Sequence, residues 1–202
     1  MMDSSIDSEP GRSRSSFLRV AAGTGAVLAG SLVFGRDLAV SEAAPSAAQD
    51  RRIFQFALLL EQLQAAFYSE ALERGALRGD LLEFAKVVRG HERAHVAFLR
   101  KVLGPAAGPT PTFHFGDATR DAQRFGAAAH DLENVGVAAY NGQGAELTAG
   151  ALTQAAEIVS VEGRHAAWIG ALLGVAPAPR AADPGADANA VLRQLKATGF
   201  LR

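Results

Sequence analysis

Apolar side chains recur every three or four residues along most of the chain after Pro45, which is the period of an amphipathic helix. The first such segment predicts a helix over residues 46–74 that ends at Gly75. A second helix is predicted to begin at Asp80, whose side chain can cap the free backbone amides, and to run through Leu103. These two segments predict a pair of long helices joined by a short turn.

A second pair of helices is predicted after a Pro- and Gly-rich stretch, residues 105–116, which is too long for a tight turn. The third helix is expected to open at Asp117 or Thr119 and to run to about Tyr140, where the segment NGQG breaks it. The fourth covers about residues 145–173. The Pro- and Gly-rich stretch therefore crosses the surface between the two pairs.

Four long helices joined by short, long and short connections are typical of a four-helix bundle with one long crossover. The sequence therefore predicts an all-α domain over residues 46–175, with the crossover between helices two and three. Residues 176–202 are predicted to be a tail that carries a short helix at about 187–198. No segment shows the alternation of apolar and polar residues that would predict a β-strand.

Residues 1–45 are typical of an export signal or a disordered leader. An uncharged Gly- and Ala-rich run, residues 20–35, follows several arginines, and the segment SRSSFLR resembles a twin-arginine signal in which Ser15 replaces the second arginine. Small residues offer cleavage points at Ala39, Ser41 and Ala43. We expect an exported protein, periplasmic or at the cell surface, that meets a membrane only if this leader stays uncleaved. A cytoplasmic protein is the alternative.

The charge and the cysteine content of the chain narrow the range of possible functions. Lys and Arg number 20 and Asp and Glu 21, so the net charge of -1 gives no broad electrostatic footprint for nucleic acid. The absence of cysteine excludes disulfides, thiolate zinc sites and cysteine-ligated iron centres. Any metal site must therefore use oxygen and nitrogen ligands.

Two Glu-x-x-His segments occur at matching places in the two helix pairs. Glu92 and His95 lie on the second predicted helix, and Glu162 and His165 lie on the fourth. A spacing of three residues puts each pair on one helix face. A single pair would favour a solvated helix face, but the repetition favours a shared site.

The first and third helices share a second sequence pattern. Glu61 stands in an otherwise apolar segment and Tyr68 follows seven residues later, while Glu133 is followed in the same way by Tyr140. These are the only tyrosines in the chain. Each half of the protein thus reads as Glu, then Tyr two turns on, then Glu-x-x-His on the next helix.

This set of side chains favours a metal site. Four carboxylates and two imidazoles that point into a bundle can bind two hard or borderline divalent metals, and buried carboxylates without a metal would be costly. The arrangement matches the one found in ferritin-like carboxylate proteins. Iron and manganese both accept such ligands.

The segments LEQLQAAFY, HERAHVAFL, FHFGDA, LENVGVAAY and VEGRHAAW resemble the blocks of the ferritin-like domain family that includes plant desiccation-related proteins and exported bacterial proteins. The resemblance covers about residues 46–175 and implies a ferritin-like four-helix bundle. It also implies the following metal ligands: Glu61, Glu92, His95, Glu133, Glu162 and His165.

The remaining tyrosine and histidine side chains are expected to have lesser roles. Tyr68 and Tyr140 are predicted to support the ligands by hydrogen bonds to carboxylates, although packing in the core is equally compatible. His130 precedes Glu133 by three residues and is expected either to support the site or to lie at the surface. His91 is expected at the surface.

Two functions fit these residues. The first is a redox enzyme whose di-iron or di-manganese centre acts on dioxygen or peroxide, as a ferroxidase, peroxidase or catalase-like scavenger. A peroxidase would need an outside reductant, because the chain holds no cysteine-bound electron carrier. The second is a bundle without turnover, associated with stress or desiccation, in which metal binding stabilises the fold or sequesters the metal. Assembly into a homo-oligomer is open in both cases.

Overall fold

A computed structural model describes residues 44–201 and confirms the predicted all-α class. The part of the chain that it describes contains no β-strand, and none of its helices is long and apolar enough to cross a membrane. The predicted export signal lies outside the described residues. The helices are α1 (Ala47–Arg74), α2 (Gly79–Leu103), α3 (Ala122–Gln143), α4 (Ala149–Leu172) and α5 (Ala188–Thr198).

The first helix begins and ends close to the predicted residues. Ser46 is the N-cap, and its hydroxyl accepts a hydrogen bond from the Gln49 amide. Gly75 ends the helix with φ 67°, a left-handed conformation that only glycine adopts without strain. The short last helix is likewise close to its prediction, with Asp187 as N-cap and Gly199 as C-cap.

The predicted starts of the second and third helices were wrong by one to five residues. Arg78 is the N-cap of α2, so Asp80 lies inside the first turn, where its charge favours the helix dipole. Helix α3 is capped by Asp121, which accepts a hydrogen bond from the Arg124 amide. Thr119 is fully buried before the helix starts. A side-chain cap accounts for the start of α3, whereas Arg78 makes no capping hydrogen bond with its side chain at the start of α2.

The end of α3 also differs from the prediction. The helix continues past Tyr140 to Gln143, although NGQG contains two glycines. One of these glycines, Gly142, is explained by close contact with the tail, because a Cβ there would lie 2.0 Å from the backbone oxygen of Ala186. The Ala186 amide donates to the Ala138 carbonyl at 2.8 Å, so the tail docks directly on α3.

The four long helices form two hairpins. Helix α1 packs mainly against α2, and α3 mainly against α4, with residues 104–121 as the long crossover between the hairpins. The tail fixes this crossover, since the His114 amide donates to the Phe200 carbonyl at 3.0 Å. The connection pattern confirms the predicted bundle with one long crossover.

The apolar core is divided into two clusters. One contains Phe67, stacked on Phe125 at 5.4 Å between ring centroids, and the other contains Phe54 and Leu99. On α2 and α4 the polar residues of the predicted site fall between the segments that build these clusters. The bundle therefore encloses a buried polar layer between two apolar regions.

Candidate metal centre

The structure brings all six predicted ligands together in the buried polar layer. Helices α1 and α3 each supply one glutamate, and α2 and α4 each supply a glutamate and a histidine. Their exposed fractions do not exceed 9 %. The six side chains are Glu61, Glu92, His95, Glu133, Glu162 and His165.

Two overlapping groups of ligand atoms arise from these six side chains. One group joins Glu61 and His95 to the two Glu-x-x-His glutamates, and the other joins Glu133 and His165 to the same two. Within each group the four ligand atoms all lie within 4.8 Å of one another. Glu92 and Glu162 therefore belong to both groups, at the centre of the cluster.

The two imidazoles face the carboxylates through the same ring nitrogen. Nδ1 of His95 lies 3.1 Å from Glu61 Oε2 and 3.4 Å from Glu162 Oε1. Nδ1 of His165 lies 3.2 Å from Glu133 Oε2 and 3.1 Å from Glu92 Oε1. The repetition seen in the sequence is therefore a repetition in space.

Each tyrosine binds the carboxylate of the opposite half. The Tyr68 hydroxyl donates to Glu133 Oε1 at 2.5 Å, and the Tyr140 hydroxyl donates to Glu61 Oε1 at 2.7 Å. The partners run in opposite order along the chain, so α1 and α3 are antiparallel at the site. Burial raises the pKa of both hydroxyls well above the usual value, with the charge of the bonded carboxylate adding to it. Both phenols therefore stay protonated and hold a carboxylate in place.

Burial changes the protonation of the glutamates. It raises the pKa of Glu61 to about 8, and repulsion from Glu92 contributes to the rise. It also raises the pKa of Glu133, with the charge of Glu162 as the next cause. Carboxylic acids that would be ionised in water are thus partly protonated in the metal-free cluster.

The histidines respond in the opposite sense. Burial alone lowers the pKa of His95, but the carboxylates of Glu162, Glu61 and Glu92 outweigh it and raise the pKa to about 12. Burial likewise lowers the pKa of His165, and Glu133, Glu162 and Glu92 raise it to about 11. Both imidazoles are therefore cationic at neutral pH without a metal, and protons supply the positive charge that the cluster needs.

The residues present fit a bound metal. Both oxygens of Glu92, Oε2 of Glu133, Oε1 of Glu162 and Nδ1 of His165 are buried without a hydrogen-bond partner among the described residues. Imidazole nitrogens lie 3.1–3.5 Å from these oxygens but without hydrogen-bond geometry, so the ion pairs offset only part of the cost of burying them. These atoms belong to the two overlapping groups, and oxygen with imidazole nitrogen is a donor set suited to divalent transition metals.

Sequence reasoning missed Gln64, which is 2 % exposed. Its Nε2 lies 3.1 Å from Glu133 Oε1 and 3.4 Å from Glu162 Oε2, so the amide donates to the cluster. Gly136 leaves room for this contact, since a Cβ there would lie 2.7 Å from Glu162 Oε2. The signal was available, because Gln64 follows Glu61 by three residues within an apolar segment.

The other histidines have different surroundings. His91 is exposed, as expected, but its Nδ1 also lies 2.8 Å from Nε2 of His165. Burial lowers the pKa of His91, and the neighbouring His165 and His95 lower it further. His130 is not brought to the cluster, since its Nδ1 faces Asp131 Oδ1 at 3.8 Å and its ring lies beside the tail.

A cavity of about 390 Å³ opens above the cluster between α2 and α4. His95 and His165 form its floor, and Trp168, 37 % exposed, stands at its edge. The other lining residues are His91, Ala94, Val161 and Arg164. The cavity therefore borders both ligand histidines, and none of the four glutamates lines it.

The fold and the site together define a class of protein: an all-α bundle with a long crossover and a buried cluster of glutamates and histidines that could hold a metal. The sequence model of the ferritin-like domain matches residues 49–175, so the chain belongs to the ferritin-like domain family. The resemblance to the ferritin-like domain family is thereby confirmed. No curated protein matches the sequence.

Proposed function

We propose that the chain holds a dinuclear metal centre of iron or manganese and acts as an oxidoreductase on dioxygen or peroxide. The observation that carries this proposal is that two groups of four ligand atoms share Glu92 and Glu162. A carboxylate that belongs to both groups can bridge two cations and divide its charge between them. Four carboxylates also balance the charge of two divalent ions.

The ligand types support iron or manganese. Carboxylate oxygen alone would also suit magnesium or calcium, but an imidazole in each group favours a transition metal. When bound, such a pair of metals supplies one-electron redox chemistry at each ion and a place for an O–O bond to react.

The chain's own residues prepare the site for this chemistry. The phenols of Tyr68 and Tyr140 hold the two outer carboxylates, and the apolar clusters on either side exclude bulk water. The cavity beside the two ligand histidines is the site where we expect a small oxidant to approach the centre. Since the sequence contains no cysteine, a peroxidase reaction would draw electrons from an outside reductant, whereas disproportionation of peroxide needs none.

The second candidate is a bundle that binds metal without turnover, for sequestration or for stability under stress or desiccation. The observation that favours it is burial, since four of the six ligands are at most 1 % exposed and a bound metal would couple strongly to folding.

The location and partners of the protein belong to the proposal as well. The leader in residues 1–45 supports export to the periplasm or the cell surface. The net charge of -1 gives no broad electrostatic footprint for nucleic acid, and the proposed partner is a small-molecule oxidant. A homo-oligomer is compatible with either candidate function.

Turnover assays on protein loaded with iron or manganese separate the two candidates. The enzyme hypothesis predicts peroxide consumption or ferrous oxidation well above that of the free ions. It also predicts loss of this activity in Glu61→Gln and retention in Glu157→Gln, a control at an exposed position of α4. If the metal-loaded protein is no more active than the free ions in either assay, the enzyme hypothesis is overturned and metal sequestration is the remaining function.

A further inference from the structure

The two halves of the metal centre have the same ligands but not the same neighbours. Helix α3 repeats α1 with an offset of 72 residues, as Glu61 and Glu133 show, and α4 repeats α2 with an offset of 70, as Glu92 and Glu162 show. Positions related by these offsets can therefore be compared directly. The repetition fails at two positions whose side chains form hydrogen bonds to the ligands.

The first failure is at His91, whose counterpart is Val161. Nδ1 of His91 lies 2.8 Å from Nε2 of His165, and the two rings are nearly parallel, 13° apart, with centroids 5.1 Å from each other. Because the two nitrogens are much closer than the centroids, the rings meet edge to edge. In this orientation an N–H of one ring points at a lone pair of the other.

The chemistry of a metal-binding imidazole determines which of the two rings donates the hydrogen bond. Nδ1 of His165 faces the carboxylates, so when that nitrogen binds a metal the ring proton stays on Nε2. Nε2–H of His165 then donates to Nδ1 of His91. Such an outer hydrogen bond fixes the ring orientation and makes the ligand more basic.

Among residues 44–201, His95 has no equivalent partner. Its Nδ1 faces the carboxylates in the same way, but its outer edge lies at the cavity, where the counterpart of His91 is the aliphatic Val161. Valine has no acceptor. The ring of His95 is therefore held by packing and by its inner contacts.

The second failure is at Gln64, whose counterpart is Gly136. The Gln64 amide donates to Glu133 and Glu162, whereas Gly136 has no side chain to offer to Glu61. Both additional polar residues thus support the same half of the centre, the group that contains Glu133.

We propose that the position formed by Glu133 and His165 with the two shared glutamates binds metal first and more tightly than the position formed by Glu61 and His95. This inference rests on the proposed dinuclear centre. In it His91 is a positioning residue, which acts on the metal through His165. Outer partners of this kind change metal affinity by about 10- to 100-fold, which sets the expected difference between the two steps.

Calorimetric titration of the metal-free full chain with Zn²⁺ tests the proposal without any need for turnover. The wild-type chain should bind two ions in two steps that differ in affinity by about 10-fold or more. His91→Val, which introduces the residue of the counterpart position, should weaken the tighter step by at least about 10-fold and leave the weaker step unchanged. His91→Gln, whose amide oxygen can accept the same hydrogen bond, should restore most of the difference.

A matching variant in the other half of the centre should strengthen metal binding there. Val161→His should give His95 the partner that it lacks and strengthen the weaker step, with the tighter step unchanged. In the ¹⁵N spectrum of the Zn²⁺-loaded chain, the Nε2–H proton of His165 should exchange slowly in the wild type and fast in His91→Val. A purely structural role of His91 would not produce this pattern.

The outcomes separate this inference from the function on which it rests. Two equal steps in the wild type, or unequal steps that His91→Val leaves unchanged, would overturn the inference while the dinuclear centre stands. Binding of one ion or none would overturn the dinuclear centre itself, and the inference with it.

Discussion

Metal binding at neutral pH should release about three protons from the metal-free protein, because the buried cluster is charge-balanced by protons before a metal arrives. The pKa of His95 is raised to about 12, that of His165 to about 11 and that of Glu61 to about 8. A metal needs neutral imidazole and ionised carboxylate, so each of these groups must lose its proton.

The expected number follows from these pKa values. At pH 7 each imidazole releases about one proton, and Glu61, one pH unit below its pKa, releases about 0.9. Glu133, whose pKa is also raised, adds to this total. At pH 9 the Glu61 contribution falls to about 0.1, while the imidazoles remain protonated and still contribute about two protons.

Calorimetry in buffers of different ionisation enthalpy measures this number directly, with Mn²⁺ added under anaerobic conditions. The slope of the apparent enthalpy against the buffer enthalpy should give about three protons per chain at pH 7 and about one fewer at pH 9. His114→Gln, in the exposed crossover, should leave the slope unchanged. Release of less than one proton at pH 7 would refute the reasoning, because it would mean that the histidines are neutral before the metal binds.

Three further predictions follow from the same contacts. Tyr140→Phe removes the hydrogen bond to Glu61 and should weaken metal binding by about 10- to 100-fold in a chelator competition, whereas an unchanged affinity would mean that the ring only packs. Gly142→Ala forces a Cβ against the backbone of Ala186 and should lower the free energy of unfolding by about 1–3 kcal/mol, while Gly90→Ala, which meets nothing within 4 Å, should leave it equal or raise it by up to about 1 kcal/mol in denaturant titrations. The rise in melting temperature on adding metal should be larger at pH 8 than at pH 6. The raised pKa of Glu61 makes the metal-free fold less stable as the pH rises from 4.5 towards 8. The two ligand histidines stabilise the metal-free fold fully below pH 6.5, and this stabilisation declines as the pH rises towards 11. An equal rise in melting temperature at pH 6 and pH 8 would contradict this assignment.

The sequence predicted the features that depend on periodicity within one helix. Glu92 and His95 share a helix face because three residues are nearly one turn, and this holds whatever the rest of the chain does. The same reasoning placed Glu61 and Tyr68 on one face but could not tell which carboxylate the phenol reaches. Two turns separate them along α1, and the phenol instead meets Glu133 of the antiparallel helix α3.

Contacts made across helices were out of reach of the sequence. His91 follows the exposed face of α2, so its surface position was predictable, but its hydrogen bond depends on how closely α4 approaches. The docking of the tail on Gly142 is similar, because two glycines in NGQG are as typical of a helix end as of a close contact. Local signals therefore predicted the cluster, and tertiary packing set its hydrogen bonds.

The number of metal ions per chain is the measurement that tests the central claim most directly. Inductively coupled plasma analysis of protein purified from cells grown in unsupplemented medium should give two ions of iron or manganese per chain. Glu92→Gln combined with Glu162→Gln should abolish both, since each of the two groups contains both glutamates. A wild-type chain that binds one ion or none, or a double variant that still binds two, would contradict the dinuclear centre.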